Sequence, residues 1–344
     1  MVVRLRSWWR KIKQHRVAIG VGTIVVVVVT ALIIAGYQFD WTGFNGNNKS
    51  GKTLWDWMQL LFIPVVLAVA GFWFNHNERR AAEFRAYNER KAADRRAEAE
   101  RRIEEERAKT DSNIAEDNRH EAALQEYINN MSELLLHENL RTSESEDEVR
   151  KVARVRTLTV LNRLDGLRKG SVLQFLYESG LISTDKPIID LNGANFDDVD
   201  LTSANLRQAN LQNVILVNAN LSDCDLTEAN LFHTLLSHAT LVHTKLVNAN
   251  LSFSLLVDTD LKTADLHDAF LANALLNRAN LRMTNLQETD LSRAQLTNVK
   301  ISNANLRGAN LNDADLFDAE VTNEQLNQAK SLKGATMPDG TKHQ

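Results

Sequence analysis

From Leu191 to Leu326 every fifth residue is Leu, replaced only by Phe196, Ile301 and Val321, and the residue two places before each is nearly always small. The other three positions are mostly polar, as in Ala204-Asn205-Leu206-Arg207-Gln208 and Ala309-Asn310-Leu311-Asn312-Asp313. A period of five matches neither the 3.6 of a helix nor the 2 of a strand, so neither element keeps those leucines on one side for this length. The chain must therefore turn every five residues. If each pentad is one side of a square, four pentads close a coil, with Leu and the small residue pointing inward. Successive coils then stack by parallel backbone pairing about 4.8 Å apart, and seven of them make a rod roughly 34 Å long. Asn or Asp just before the Leu, as at Asn205, Asp225 and Asn310, suits a corner, because these side chains hydrogen-bond local backbone and tolerate unusual φ/ψ.

This pattern resembles the pentapeptide-repeat family, whose motif is A(D/N)LXX. The resemblance implies a right-handed quadrilateral parallel β-helix that presents a surface and carries no catalytic residues. Some members of that family mimic DNA toward topoisomerases, which leaves the partner of this chain open.

The position before the Leu departs from Asn or Asp at Ile215, Leu235, Leu255 and Leu275, each 20 residues from the next. Four pentads per turn return each to the same face one coil higher, so the four form an apolar stripe. Val217 and Val257 adjoin it, and Phe232, Phe253 and Phe270 lie on the preceding side or its corner. A contiguous apolar patch on a polar rod marks an interface, and these nine residues are the candidate site.

Upstream of the repeats the pattern changes. Residues 17–37 and 54–74 are apolar runs, the first without a charge and the second with only Asp56, each long enough to cross a bilayer. Basic residues precede the first run and follow the second, at Arg79, Arg80, Arg85, Arg90 and Lys91. That asymmetry predicts a two-helix transmembrane hairpin with both termini cytoplasmic. The loop between the runs holds Gly46-Asn47-Asn48-Lys49-Ser50-Gly51-Lys52-Thr53, a formal match to a phosphate-binding pattern. It lacks the strand and soluble helix that such a loop needs and reads as a polar turn.

From Asn75 to about Lys109 the chain is dense in Arg, Glu and Ala and predicts a long exposed helix, with a break and restart at Thr110-Asp111-Ser112-Asn113. Three apolar stripes at helical spacing follow: Leu124 to Leu136, then Val149, Val152, Val155, Leu158, Leu161 and Leu164, then Val172 to Tyr177. They predict three short helices that close the first coil. Residues 131–141 and 152–182 look like a helical region of membrane-anchored bacterial pentapeptide-repeat proteins, and that resemblance supplies only the order of domains. At the other end, the segment around Glu324 loses its small inward residue and reads as a helical cap, with a mobile tail after it.

The expected organisation is a basic cytoplasmic amino terminus (1–16), a span (17–37), an extracytoplasmic loop (38–53), a span (54–74), a charged stem (75–141), a small all-α adaptor and cap (142–187), the β-helix (188–330) and a tail (331–344). Charge adds detail. The net charge of the 344 residues is −4, yet residues 188–330 carry 18 acidic and 9 basic side chains while residues 1–16 carry seven basic ones, His15 included, and no acid. Arg150, Lys151, Arg154, Arg156, Arg163, Arg168 and Lys169 predict a solvated basic face near anionic lipid, and without aromatic interleaving nucleic acid is not an expected partner. The single cysteine, Cys224, excludes an internal disulfide and fills a small inward slot. His233, His238 and His243 fall on successive sides, so their side chains diverge and a metal is not expected.

Nothing in the soluble half pairs a nucleophile with a base, so no catalytic residue, no cofactor and no enzyme activity is expected. The expected function is a membrane-anchored scaffold that docks a protein through the stripe, with the lipid bilayer, an unidentified protein and a homo-oligomer as partners. The rival is an acidic DNA mimic that regulates a nucleic-acid enzyme such as a topoisomerase.

Overall fold

The computed structural model describes residues 63–344 together with Val27, Thr30, Ala31 and Ile34, which are helical. The remainder of the first expected span, the loop with its phosphate-loop-like string, and residues 54–62 of the second span lie outside the described residues. The chain divides into two units, residues 1–106 and 107–344.

Helix α1 is Ile63–Leu136, so the described part of the second apolar run and the charged stem belong to one helix. In its first turns Val65, Leu67, Val69, Phe72, Trp73 and Phe74 are all exposed. Among the described residues no helix is long and apolar enough to cross a membrane. The break expected at Thr110-Asp111-Ser112-Asn113 does not occur, and the helix runs through it. Such residues cost only about 0.5–0.7 kcal/mol each relative to Ala in a helix, too little to interrupt one flanked by strong helix formers on both sides.

The first stripe is therefore the carboxyl-terminal end of α1 and not a separate short helix. It buries Leu124, Tyr127, Met131 and Leu134 and leaves Leu136 exposed. α2 (Glu148–Leu161) and α3 (Gly166–Glu178) complete the adaptor, which begins inside α1, well before residue 142. The second expected stripe is kept in part, with Leu161 and Leu164 buried and Val149 and Leu158 half-buried against the core, but α2 is rotated away from two of its valines. Ala153, Thr157, Val160 and Leu161 are buried, while Val152 and Val155 are exposed. The reason is polar. The Tyr127 hydroxyl pairs with Thr157 Oγ1 at 2.9 Å inside the core, and Arg150 on the same face reaches the Ser143 carbonyl and hydroxyl and the Pro187 carbonyl.

The basic face expected on this region is thus largely consumed internally. Arg168 is held by Asp117, Glu121 and Asp165 at 2.7, 3.0 and 2.6 Å. Burial raises the Asp165 pKa, but hydrogen bonds and charge from Arg168, with a hydrogen bond from His120, outweigh it and hold that carboxyl below its usual range. Lys169 is buried against Asp197, and Arg154 donates to the Asp190 and Asn192 carbonyls. These cations fasten helices to one another and to the start of the rod, because long cationic stems bury well when their heads find oxygen partners.

α3 and the segment that follows it close the first coil directly. Asp200 N–H donates to the Gly166 carbonyl (3.4 Å) and Asn210 N–H to the Ile182 carbonyl (2.6 Å), satisfying two sides of an otherwise open edge. Gly166 and Gly170 make this approach possible, since a Cβ on either would meet the Asp198 or Asp200 carbonyl oxygen at 2.0 or 2.5 Å.

The rod pairs in parallel at an offset of 20 residues, as in Asn195 to Ile215, Asp200 to Asn220 and Asn205 to Asp225. Four pentads make one coil, as the square arrangement and the family resemblance implied. Each side is too short for a strand and contributes a single bridging residue. The bridging residue is the one before the Leu, which corrects the placement of Asn and Asp at corners. The corner falls on the second residue after the Leu, which has positive φ at every repeat from Gly193 to Asp318. A turn bond closes each one, as from Ala204 N–H to the Leu201 carbonyl (3.0 Å). Inside, the leucines and small residues are buried, and where the small residue is Thr its hydroxyl is satisfied, as by Thr234 to the Leu211 carbonyl at 2.9 Å.

At the far end α4 (Asn323–Leu326) replaces one pentad, with a capping box between Thr322 and Gln325. The buried Gln325 amide donates to the Ile301 and Ala304 carbonyls, both at 2.9 Å, standing in for the next coil's backbone. The tail expected to be mobile is instead part of the rod. Ser331 bridges Asn310, Thr336 bridges Asp315, Ala335 is buried, and a final turn through Gly340 brings Lys342 back beside Thr336. The offset there is 21 because α4 inserts one residue, which hides this coil from a strict five-residue reading.

Candidate interaction face

Where each backbone N–H of a pentad goes explains what is unusual about the stripe. The Leu N–H donates to the coil above, as Leu216 to the Leu235 carbonyl (2.7 Å). The bridging residue donates to the coil below, as Leu235 to the Val214 carbonyl (3.0 Å). The corner residue donates upward and the small residue closes the turn. The N–H just after the Leu has no backbone acceptor. Where the bridging residue is Asn or Asp, its side chain takes that N–H, as Asn220 does from Ser222 (3.2 Å) and Asp260 from Lys262 (3.1 Å). The Asn and Asp signal in the sequence is this local cap, and not a preference for left-handed φ.

The first side of the rod, running through Asn195, Ile215, Leu235, Leu255, Leu275, Gln295 and Asp315, follows the rule at its two ends. Asn195 accepts from Asp197 (2.9 Å) and Asp315 from Phe317 (3.1 Å). Between them Ile215, Leu235, Leu255 and Leu275 bridge one another in an unbroken ladder. A hydrocarbon side chain cannot accept, so among the described residues the N–H groups of Val217, Ser237, Val257 and Asn277 find no acceptor. A hydrogen bond of this kind contributes about 1 kcal/mol, which each aliphatic rung gives up. Elsewhere the departures from Asn or Asp, such as Thr240, Lys245 and Phe270, do not stack into a ladder.

The four ladder residues are half-buried by their own neighbours, and Val217, Val257 and Phe232 beside them are likewise half-buried. Phe232 and Phe253 meet edge to face with centroids 5.5 Å apart at the corner leading into this side, and Phe253 stands 50% exposed. Ala272, whose carbonyl accepts from the Phe253 N–H, continues that edge; its small size gave no signal in the sequence. Phe270 is separate. It occupies the preceding side between Asn250 and Asp290, 51% exposed. Eight of the nine candidates thus share one face and its borders.

His233, His238 and His243 are exposed on three successive corners, and His243 Nδ1 lies 2.8 Å from Thr263 Oγ1. Among the described residues no group of three or more His, Cys, Asp or Glu is arranged to hold a metal. Cys224 is buried in its small slot, and burial, with the neighbouring Asp225 charge, pushes its thiol up to about 12, far from a reactive thiolate.

The carboxylates of the second side are Asp200, Asp260 and Glu320, three coils or about 14 Å apart. Lys300 stands among them, Glu320 is paired with Arg282 at 2.7 Å, and Asp258 on the adjoining corner is paired with Arg278. A DNA strand carries one phosphate every 3.4 Å or so along its axis, far denser and uninterrupted.

A family profile described as pentapeptide repeats matches residues 189–330 in overlapping segments, with 8 copies. Among solved structures, the chain is similar to HetL, a pentapeptide repeat protein involved in heterocyst differentiation regulation from the cyanobacterium Nostoc sp. strain PCC 7120, at 25% identity over 50% of this chain and 98% of HetL with a TM-score of 0.27. It is similar to Rfr23 from the cyanobacterium Cyanothece 51142 at 28% identity over 34% of this chain and 87% of that one, with a TM-score of 0.17. QnrB1, a plasmid-mediated fluoroquinolone resistance protein, aligns at 16% identity over 44% of this chain and 80% of its own length, with a TM-score of 0.26. No curated protein matches the sequence. With the five-residue coil side, the 20-residue pairing offset and the matched profile in agreement, residues 189–330 are a pentapeptide-repeat region.

Proposed function

We propose that this chain is a non-catalytic, membrane-anchored scaffold whose pentapeptide-repeat rod docks a protein through its first side. The observation that carries the reading is the ladder of Ile215, Leu235, Leu255 and Leu275. It gives up a local cap in four successive coils and leaves aliphatic side chains partly in water, and an occupant that covers the stripe accounts for both. The cations Arg207, Lys245, Arg278, Arg282, Arg293 and Arg307, which interrupt the carboxylates along the rod, speak against the rival reading as a DNA mimic. In full-length protein, Leu235→Glu with Leu255→Glu is expected to abolish association through this face, while Asn230→Glu on another side leaves it unchanged. Undiminished association in the double variant, measured by crosslinking in cells, overturns the assignment.

The anchor rests on the two apolar runs, the basic residues outside them, and the all-round apolar exposure at the start of α1. Both termini are assigned to the cytoplasm of a bacterial cell. A cysteine replacing Asn47 is expected to react with an impermeant maleimide on intact cells, and one replacing Gln344 only after lysis. Reaction of the second on intact cells removes the hairpin from the proposal.

A further inference from the structure

We infer that the occupant of the first side is a second copy of this chain, laid rod against rod with both pointing the same way. The inference rests on the interaction reading above and names its partner. Pitch is the first argument. The aliphatic rungs are fixed to one another by backbone pairing, so they repeat at about 4.8 Å. A surface of equal pitch seats a side chain between every two rungs over the whole stripe. An α-helix, advancing about 5.4 Å per turn, drifts by roughly half a rung across four turns. A second copy has the matching pitch by construction.

Hydrogen bonding is the second argument, and it selects the orientation. Beside the aliphatic row runs a column of four uncapped donors, the N–H groups of Val217, Ser237, Val257 and Asn277, at the corner that leaves the first side. A two-fold axis parallel to the rods sets this corner opposite the other copy's corner that enters its first side. On the same rungs that corner carries Asn213, His233 and Asn273, each with a side-chain acceptor, and on the remaining rung Phe253, with the Ser252 hydroxyl one residue before it. It also sets Phe253 of each copy opposite Val257 of the other. The antiparallel arrangement would instead put donor column against donor column. Within these four rungs the formal charges are Arg278 and Asp258, which pair with each other at 2.8 Å; Arg278 faces Asn273, and His238 faces the other copy's His233.

Area sets the strength. Four rungs, one side wide, with the bordering Phe and Val residues bury on the order of a few hundred Å² per copy, below the roughly 800 Å² per partner of a stable soluble interface. The pair is therefore weak in dilute solution and fills where copies are held at high local concentration, as chains anchored at the same end are.

The test uses full-length protein in cells, with Cys224→Ala to clear the native thiol and a single cysteine at Leu255, treated with a short bismaleimide. A covalent dimer is expected from Leu255→Cys and from Leu275→Cys, and not from Asp265→Cys on the third side. Adding Leu235→Glu is expected to lower the dimer yield about tenfold or more, with unchanged circular dichroism. If Leu255→Cys reacts freely with a monofunctional maleimide and gives no dimer, both this inference and the interaction reading fall. If it is shielded but couples to a different polypeptide, the second copy falls and the interaction reading stands. Equal dimer yields from Leu255→Cys and Asp265→Cys mean chance collision and overturn the inference, and so does faster disulfide formation between Leu235→Cys and Leu255→Cys chains than between two Leu255→Cys chains, which marks the antiparallel pair.

Discussion

Leu236→Glu is expected to unfold the rod, while Leu235→Glu, one residue earlier, leaves it intact. Leu236 is fully buried between its equivalents in the coils below and above, and Leu235 is the outward bridging residue of the same side. Truncating a buried Leu to Ala already costs about 2–5 kcal/mol, and a carboxylate with no partner in the same space adds several more. Together these match or exceed the roughly 5–15 kcal/mol that holds a typical domain. The coils contact only their neighbours, so a gap in the middle also separates the stacks on either side. Far-UV circular dichroism and protease resistance of the full-length variants measure the contrast. A Leu236→Glu protein that keeps its spectrum and melts within a few degrees of the parent shows the inward assignment to be wrong.

Gly170→Val is expected to detach α3 from the first coil at a cost of about 3 kcal/mol or more. A Cβ there sits 2.5 Å from the Asp200 carbonyl oxygen, and at Gly166 the corresponding distance to the Asp198 carbonyl oxygen is 2.0 Å. Both obstacles are backbone and cannot swing aside, so the helix must lift, which exceeds the ordinary 1–3 kcal/mol of overpacking. Lifting it also releases Lys169 from Asp197 and Asp200 N–H from the Gly166 carbonyl. The edge then bares unpaired backbone groups, which promote chain-to-chain pairing. Hydrogen exchange should rise at Asp200 and Asn210 before the middle of the rod, and the variant should aggregate on concentration. Gly71→Ala is the control, since nothing lies within 4 Å of its added carbon. Equal protection in Gly170→Val and Gly71→Ala would mean that α3 does not close the coil.

The sequence by itself determined the five-residue side. Five-residue spacing of large and small apolar residues allows only a turn every five, whereas the closing of a coil after four sides shows in the 20-residue pairing offset. The recurrence of Ile215, Leu235, Leu255 and Leu275 on one face comes with it, because 20 residues return to the same side. What these four displaced was not legible, since the Asn and Asp caps are hydrogen bonds to a residue two places on, and their loss shows only when every N–H is followed to its acceptor. The tertiary structure also decided which residue turns. His, Phe, Met, Arg and Thr all hold positive φ at corners, at His233, Phe253, Met283, Arg293 and Thr263, and local preference would have named none of them. Each is held there by an N–H bond to the coil above, as His233 is to the Ser252 carbonyl (3.0 Å). The same dependence on distant partners buried Arg150, Arg168 and Lys169, turned Val152 and Val155 of α2 outward, and drew the last residues into a coil behind α4. Side-chain spacing encodes a repeat that answers to its own neighbours, whereas the ends, the cap and the charges answer to groups tens of residues away, and only their meeting fixes them.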